Sequence, residues 1–128
     1  MTAKPKVLIV DDEERFRTTM AKLLTVNGLE VTAVGSGKAA LEELSSKPYD
    51  VITLDIRMPG MSGLEALAEI KKVNPGIEVI ILTGHGSEKD EAAARRLGAF
   101  DHLQKPVDIG DLVRVMEQAV REKPEALQ

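Results

Sequence analysis

The chain contains no cysteine, which excludes a disulfide frame, a thiolate metal site and a redox thiol. It contains no tryptophan, and aromatic residues amount to only 2%, so single-stranded nucleic acid would find few stacking platforms. Positive charge is in deficit, with 17 Lys and Arg against 21 Asp and Glu and a net charge of -4. Phosphate contacts need a basic face, so no direct nucleic-acid binding by this domain is expected. No apolar run approaches the length of a bilayer span and no signal peptide opens the chain. A cytoplasmic protein that makes no membrane contact is the expectation. Internal repeats and low-complexity segments are also absent.

What is present is enough apolar material for one core. Hydrophobic residues make up 43% of 128 residues, and at that length a single core buries roughly two-thirds of the surface an unfolded chain exposes. One domain is expected over residues 1–122, with 123–128 as a C-terminal tail or the start of a linker. Five β-type runs punctuate it: KVLIV (6–10), EVTAV (30–34), VITLD (51–55), EVIIL (78–82) and FDHLQ (100–104). The first, third and fourth are nearly all aliphatic, as strands covered on both faces should be. Helical patterns lie between them. Phe16, Met20, Leu23 and Leu24 repeat at helical spacing before the stop signal Gly28. Ser36 can cap a short helix through Leu41 and Leu44 that Pro48 ends. Ser62-Gly-Leu-Glu65 is a capping-box pattern for a helix through Leu67, Ile70 and Val73. Ser87 opens another that ends at Gly98, and Asp108 opens the last. Five βα units imply an α/β fold with a parallel sheet, right-handed crossovers and helices on both faces. The chain is about half the usual length of a closed eightfold barrel. That leaves an open, doubly wound five-stranded sheet, whose order 2-1-3-4-5 is taken by analogy with flavodoxin-like folds.

In such sheets ligands bind at the carboxyl ends of the strands, beside the switch point between strands 1 and 3. Strand 1 ends in Asp11, Asp12 and Glu13, strand 3 in Asp55, strand 4 in Thr83-Gly84 and strand 5 in Lys105-Pro106. Three aspartates, a hydroxyl and an ammonium should therefore share one crevice. Carboxylates held close repel one another unless a cation intervenes. Lys105 supplies a single charge, so a hard divalent ion is the economical answer, and Mg²⁺ suits a few carboxylates with retained waters. With only His85 and His102 as imidazoles, zinc is not expected. Metal, ammonium and hydroxyl together form a phosphoryl-stabilising set. The nucleophile should be a carboxylate that forms an acyl phosphate, and Asp55, alone on the central strand beside the MPG turn, is the candidate.

In order and spacing, LIVDDE, DIRMPGMSG, ILTGHG and QKP resemble the four signatures of the receiver domains of two-component response regulators, over Val7 to about Val120. The resemblance implies a phosphoprotein of phosphorelay signal transduction, in which Asp55 accepts a phosphoryl group from a sensor histidine kinase. It implies a Mg²⁺ ion bound by Asp12 directly, by Asp11 mostly through water, by Asp55 and by the backbone carbonyl of Arg57. Thr83 would hold the phosphoryl oxygen and Lys105 would pair with it. Thr83 and His102 would form the switch, with the side chain at 102 turning inward as Thr83 moves. The family usually carries Tyr or Phe at that position, so His102 is a departure. Arg57 and His85 would tune the lifetime of the phosphoryl group. The output would pass through the face made by residues 87–98, strand 5 and the last helix. That face could serve an output domain in the same chain, a downstream protein or a second copy of the chain. Such a domain promotes its own phosphorylation and dephosphorylation without turning over a separate substrate.

Three other readings fit part of the pattern. A Mg²⁺-dependent aspartate-nucleophile phosphatase shares the chemistry, but would carry a general-acid Asp two residues after the nucleophile, where this chain has Arg57. A phosphate-independent interaction module would not need Asp11, Asp12, Asp55, Thr83 and Lys105 together. GSGKAA (35–40) matches a dinucleotide fingerprint in outline, yet it follows the expected edge strand and leaves the acidic residues without a role.

Overall fold

The computed structural model describes residues 4–122. The order is β1 (Lys6–Val10), α1 (Glu14–Val26), β2 (Glu30–Val34), α2 (Gly37–Ser46), β3 (Val51–Leu54), α3 (Gly63–Val73), β4 (Glu78–Thr83), α4 (Glu88–Arg96), β5 (Asp101–Gln104) and α5 (Ile109–Glu122). All strands are parallel, in the order β2-β1-β3-β4-β5. The expected fold class and strand order are what the chain adopts.

The alternation of side chains along each strand builds two cores. Val7, Ile9, Ile80 and Leu82 face α1 and α5, meeting Met20, Leu24, Leu112, Met116 and Ala119. Leu8, Val10, Ile52, Leu54, Val79 and Ile81 face the opposite side, meeting Ala40 of α2, Ala66, Leu67 and Ile70 of α3 and Ala94 of α4. The central strand β3 is buried at all four residues, as its unbroken aliphatic run requires. The helix α4 is the weakest partner: Ala94 is its one buried residue.

Local chemistry sets the helix ends. Ser36 accepts from the Ala39 amide at 3.1 Å to start α2. Ser62 with Glu65 and Ser87 with Asp90 form complete capping boxes on α3 and α4. Asp108 accepts from the Asp111 amide at 3.1 Å at the head of α5. Helix α5 continues through Glu122; the tail expected over 123–128 lies outside the described residues. The register Val10↔Leu54 and Leu54↔Ile81 ends β1, β3 and β4 on the same side of the molecule, and Thr83↔Gln104 aligns the last pair. The residues that follow these strand ends converge by construction of the ladder. No helix among the described residues is long and apolar enough to cross a membrane.

Candidate functional site

Asp11 leaves β1 with its amide still bonded to the Val34 carbonyl at 3.2 Å, and Asp55 leaves β3 bonded to the Val10 carbonyl at 3.1 Å. Both carboxylates are buried, at 2% and 5% exposure, whereas Asp12 is exposed. One carboxylate oxygen from each of the three can be chosen so that all lie within 4.8 Å of one another. Oxygen donors that close suit a hard divalent cation with retained waters, and the donor set fits Mg²⁺.

Lys105 enters this cluster from the end of β5, its amide held by the Thr83 carbonyl at 3.0 Å; the Lys105–Pro106 peptide is cis. Its Nζ donates to Asp11 Oδ2 at 2.6 Å and lies 3.6 Å from Asp55 Oδ2 and 3.5 Å from Glu13 Oε1. Asp11 Oδ1 accepts from the Glu13 amide at 2.9 Å. Burial pushes the Asp11 carboxyl above its ordinary value, and the nearby Asp55 charge adds to this. The Lys105 and Glu13 hydrogen bonds oppose the shift without cancelling it. Burial alone would lower Lys105, but Asp11, Asp55 and Glu13 together hold the ammonium above its ordinary value. Lys105 therefore stays charged between two buried carboxylates, which is the low-dielectric setting in which an ammonium acts most strongly on added negative charge.

Thr83 is fully buried, and its hydroxyl oxygen accepts from the His85 amide at 3.2 Å. Arg57 turns its amide toward Asp55 Oδ1 at 3.4 Å, while its side chain lies at the surface. His102, expected to turn inward as Thr83 moves, packs its imidazole edge over Gly86. Its Nε2 is buried and has no hydrogen-bond partner. The reason is Gly86: a Cβ there would lie 2.8 Å from His102 Nε2 and 3.0 Å from the Thr83 methyl. The missing side chain opens the space that the imidazole edge occupies. The structure thus brings Asp11, Asp12, Asp55 and Lys105 into one cluster, and places the His102 edge of β5 and the Thr83 methyl together at Gly86 in the β4–α4 connection.

Sequence reasoning missed several neighbours. Phe16 was only a periodic helix position, yet its ring centroid lies 4.0 Å from Lys105 Nζ. Arg17 donates from Nη1 to the Asp11 carbonyl at 2.8 Å, packed over Gly35. Gly63 lets α3 begin against the backbone of Asp55 and Ile56. No local signal marks any of these, because the partners lie on other elements. The GSGKAA segment resolves into packing and a cap: Gly35 faces Arg17, Ser36 caps α2, and Gly37 abuts Met61 and Ala66.

A doubly wound sheet with an acidic, lysine-bearing crevice at the carboxyl ends of β1, β3 and β5 defines a phosphoryl-handling class of α/β domain. The family model for the response regulator receiver domain matches residues 7–117. The DNA-binding transcriptional regulator NtrC of Klebsiella pneumoniae is 42% identical over 112 residues, covering 88% of this chain and 24% of that protein. A receiver domain protein from Methanospirillum hungatei JF-1 superimposes with a TM-score of 0.91 at 26% identity, covering 94% of this chain and 97% of that one. The receiver domain of NtrX from Brucella abortus gives 0.85 at 33% identity, covering 91% and 98%. The chain belongs to the response regulator receiver domain family, the phosphorylation-controlled switches of two-component signalling; Mg²⁺ binding and phosphorylation on aspartate are general features of that family. It spans about a quarter of the length of the NtrC-type relatives it matches.

Proposed function

We propose that Asp55 is the phosphoryl acceptor of this receiver domain and that a sensor histidine kinase is the donor. The observation that carries the assignment is the Lys105 ammonium, 3.6 Å from Asp55 Oδ2 and anchored on Asp11 at 2.6 Å. A carboxylate oxygen of Asp55 attacks phosphorus, the P–N bond to the donor imidazole breaks, and the electron pair leaves with the ring nitrogen. Asp11, Asp12 and Asp55, with the Arg57 carbonyl, would hold Mg²⁺, which when bound neutralises charge on the transferring oxygens. Lys105 would pair with the new phosphoryl group. Thr83, whose hydroxyl oxygen accepts from the His85 amide, would turn its O–H donor toward the phosphoryl group, and that movement would couple the acyl phosphate to the β4–α4 connection and the buried edge of His102. Water finally cleaves the acyl phosphate, so the domain resets itself and is not a turnover enzyme on a separate substrate. Arg57 cannot donate a proton at neutral pH, which disfavours an aspartate-nucleophile phosphatase. The face formed by α4, β5 and α5 is the proposed route to an output domain, a downstream protein or a second copy.

The test is incubation with Mg²⁺ and acetyl phosphate followed by intact mass. One phosphoryl adduct should appear in the wild type and vanish in Asp55→Asn. An adduct that survives the substitution would sink the assignment.

A further inference from the structure

The Lys105 ammonium has three carboxylates and an aromatic ring for neighbours. Asp11 Oδ2, Glu13 Oε1 and Asp55 Oδ2 surround Nζ at 2.6, 3.5 and 3.6 Å, and the Phe16 centroid stands 4.0 Å from it. The Lys105 side chain is only 15% exposed. Phe16 is itself partly buried against the core shared by α1 and α5, so its ring has a packed backing and cannot swing freely. We infer that Phe16 is a positioning residue for phosphoryl transfer, clamping the Lys105 ammonium against the acceptor carboxylate through the face of its ring.

The chemistry follows from the quadrupole of benzene. Its negative face attracts a cation without offering a hydrogen bond, so it limits motion of the ammonium toward solvent without competing for its N–H donors. All three donors stay available to the oxygens of Asp11 and Asp55. Without the ring, water would reach Nζ from the α1 side, and the exposed Glu13 carboxylate would become the easier partner. The ammonium would then have to be drawn back each time a phosphoryl group arrives, and preorganisation of that kind is where electrostatic catalysis originates. Phe16 touches neither the phosphoryl group nor Asp55 in this scheme, and it acts only through Lys105. The proposal rests on the reading of Asp55 and Lys105 given above.

Two measurements separate the two. The first needs no phosphoryl chemistry. In the wild type, NMR should show the Lys105 ε-methylene protons shifted upfield by the ring, and the shift should disappear in Phe16→Leu and persist in Phe16→Tyr. Absence of the wild-type shift overturns the clamp whatever the acceptor is. The second is a double-mutant cycle on the rate of Asp55 phosphorylation by acetyl phosphate at saturating Mg²⁺. Phe16→Leu should slow the reaction about three- to tenfold, the range a single cation–π contact supports, and Phe16→Tyr should restore it. In a Lys105→Ala background, Phe16→Leu should change nothing further. Equal slowing in both backgrounds, or no slowing in either, refutes the positioning role. Should the adduct prove to lie elsewhere than on Asp55, the acceptor assignment fails while the ring shift still reports on the contact.

Discussion

Replacing Gly63 by alanine should disable the site from a position that carries no chemistry. A Cβ at 63 would lie 2.6 Å from Ile56 Cα and 2.7 Å from the Asp55 carbonyl carbon, and closer still to the Asp55 carbonyl oxygen. Real Cβ atoms essentially never approach within 3.0 Å, and ordinary contact begins near 3.4 Å. The obstacle is backbone, so no side chain can turn aside. The Gly63 amide also donates to the Ile56 carbonyl at 2.7 Å, which ties the start of α3 to the loop that must retreat. The loop and helix must therefore part by roughly an ångström. Overpacking of this kind costs about 1–3 kcal/mol, against a gain of at most about 1 kcal/mol from alanine's better helix propensity. The net loss should lower Tm by several degrees, at roughly 4 °C per kcal/mol for a domain of this size. Misplacing a reacting group by about 1 Å costs about a hundredfold in rate. The assays are thermal unfolding by far-ultraviolet circular dichroism and phosphorylation by acetyl phosphate read by intact mass. Gly76→Ala, whose Cβ would meet nothing closer than Asn74 Oδ1 at 3.8 Å, is the control and should be near neutral. Wild-type melting and wild-type phosphorylation in Gly63→Ala would refute the steric argument.

The remaining predictions use other parts of the molecule. Asp12→Asn should weaken Mg²⁺ binding by calorimetry and, with metal absent, raise stability by a few tenths of a kcal/mol up to about 1 kcal/mol, because one of three clustered negative charges is gone; a lower melting point would count against the crowding argument. Arg57→Ala should lose the phosphoryl group faster than wild type, and equal decay rates would remove Arg57 from any shielding role. Gly86→Ala should expel the His102 ring from its place beside Thr83, visible as changed His102 proton shifts before any phosphorylation; unchanged shifts would contradict the contact. Tyr49, the only tyrosine, is raised above its ordinary value by burial and by its 2.6 Å hydrogen bond to Glu43 Oε1. Because the folded value exceeds the unfolded one, the associated stability is fully present below about pH 10 and lost as pH rises through the folded value. Tyrosinate absorbance should therefore titrate at a lower pH in Glu43→Gln than in wild type, and coincident curves would rule out the Glu43 contribution.

Most of the frame was legible because aliphatic runs and cap residues are local signals. The β1 and β2 bounds agree with the sequence reading, whereas β3 stops at Leu54 and β4 gains Thr83. The difference lies in strand-end bonding: the Thr83 carbonyl still accepts from the Lys105 amide, a tie between elements that a linear pattern does not show. The acidic residues and Lys105 were legible as strand-end residues once the sheet order was assumed. The packing of the His102 edge over Gly86 was not, since it depends on an absent side chain at Gly86. A glycine that permits close approach looks, in sequence, like a glycine that permits a turn. Phe16 was hidden for a related reason, as its partner lies 89 positions away and no periodicity links a helix position to a strand-end lysine.

The slender attachment of α4 carries a consequence for how the molecule opens. Ala94 is its only buried residue, whereas α3 buries Gly63, Ala66, Leu67 and Ile70. One methyl group contributes about 0.8 kcal/mol of burial and a leucine or isoleucine two to three times that, so α4 can lift away at a small fraction of the free energy that guards the sheet. Amide hydrogen exchange should divide accordingly: the interior amides of α4 exchange through a local opening, while those of β1, β3 and β4 wait for global unfolding. Protection in α4 equal to that in β3 would show the helix to be part of the same cooperative unit. If the two separate as expected, the chain holds its acidic crevice on a frame that stays closed and carries beside it one segment whose detachment leaves that frame intact.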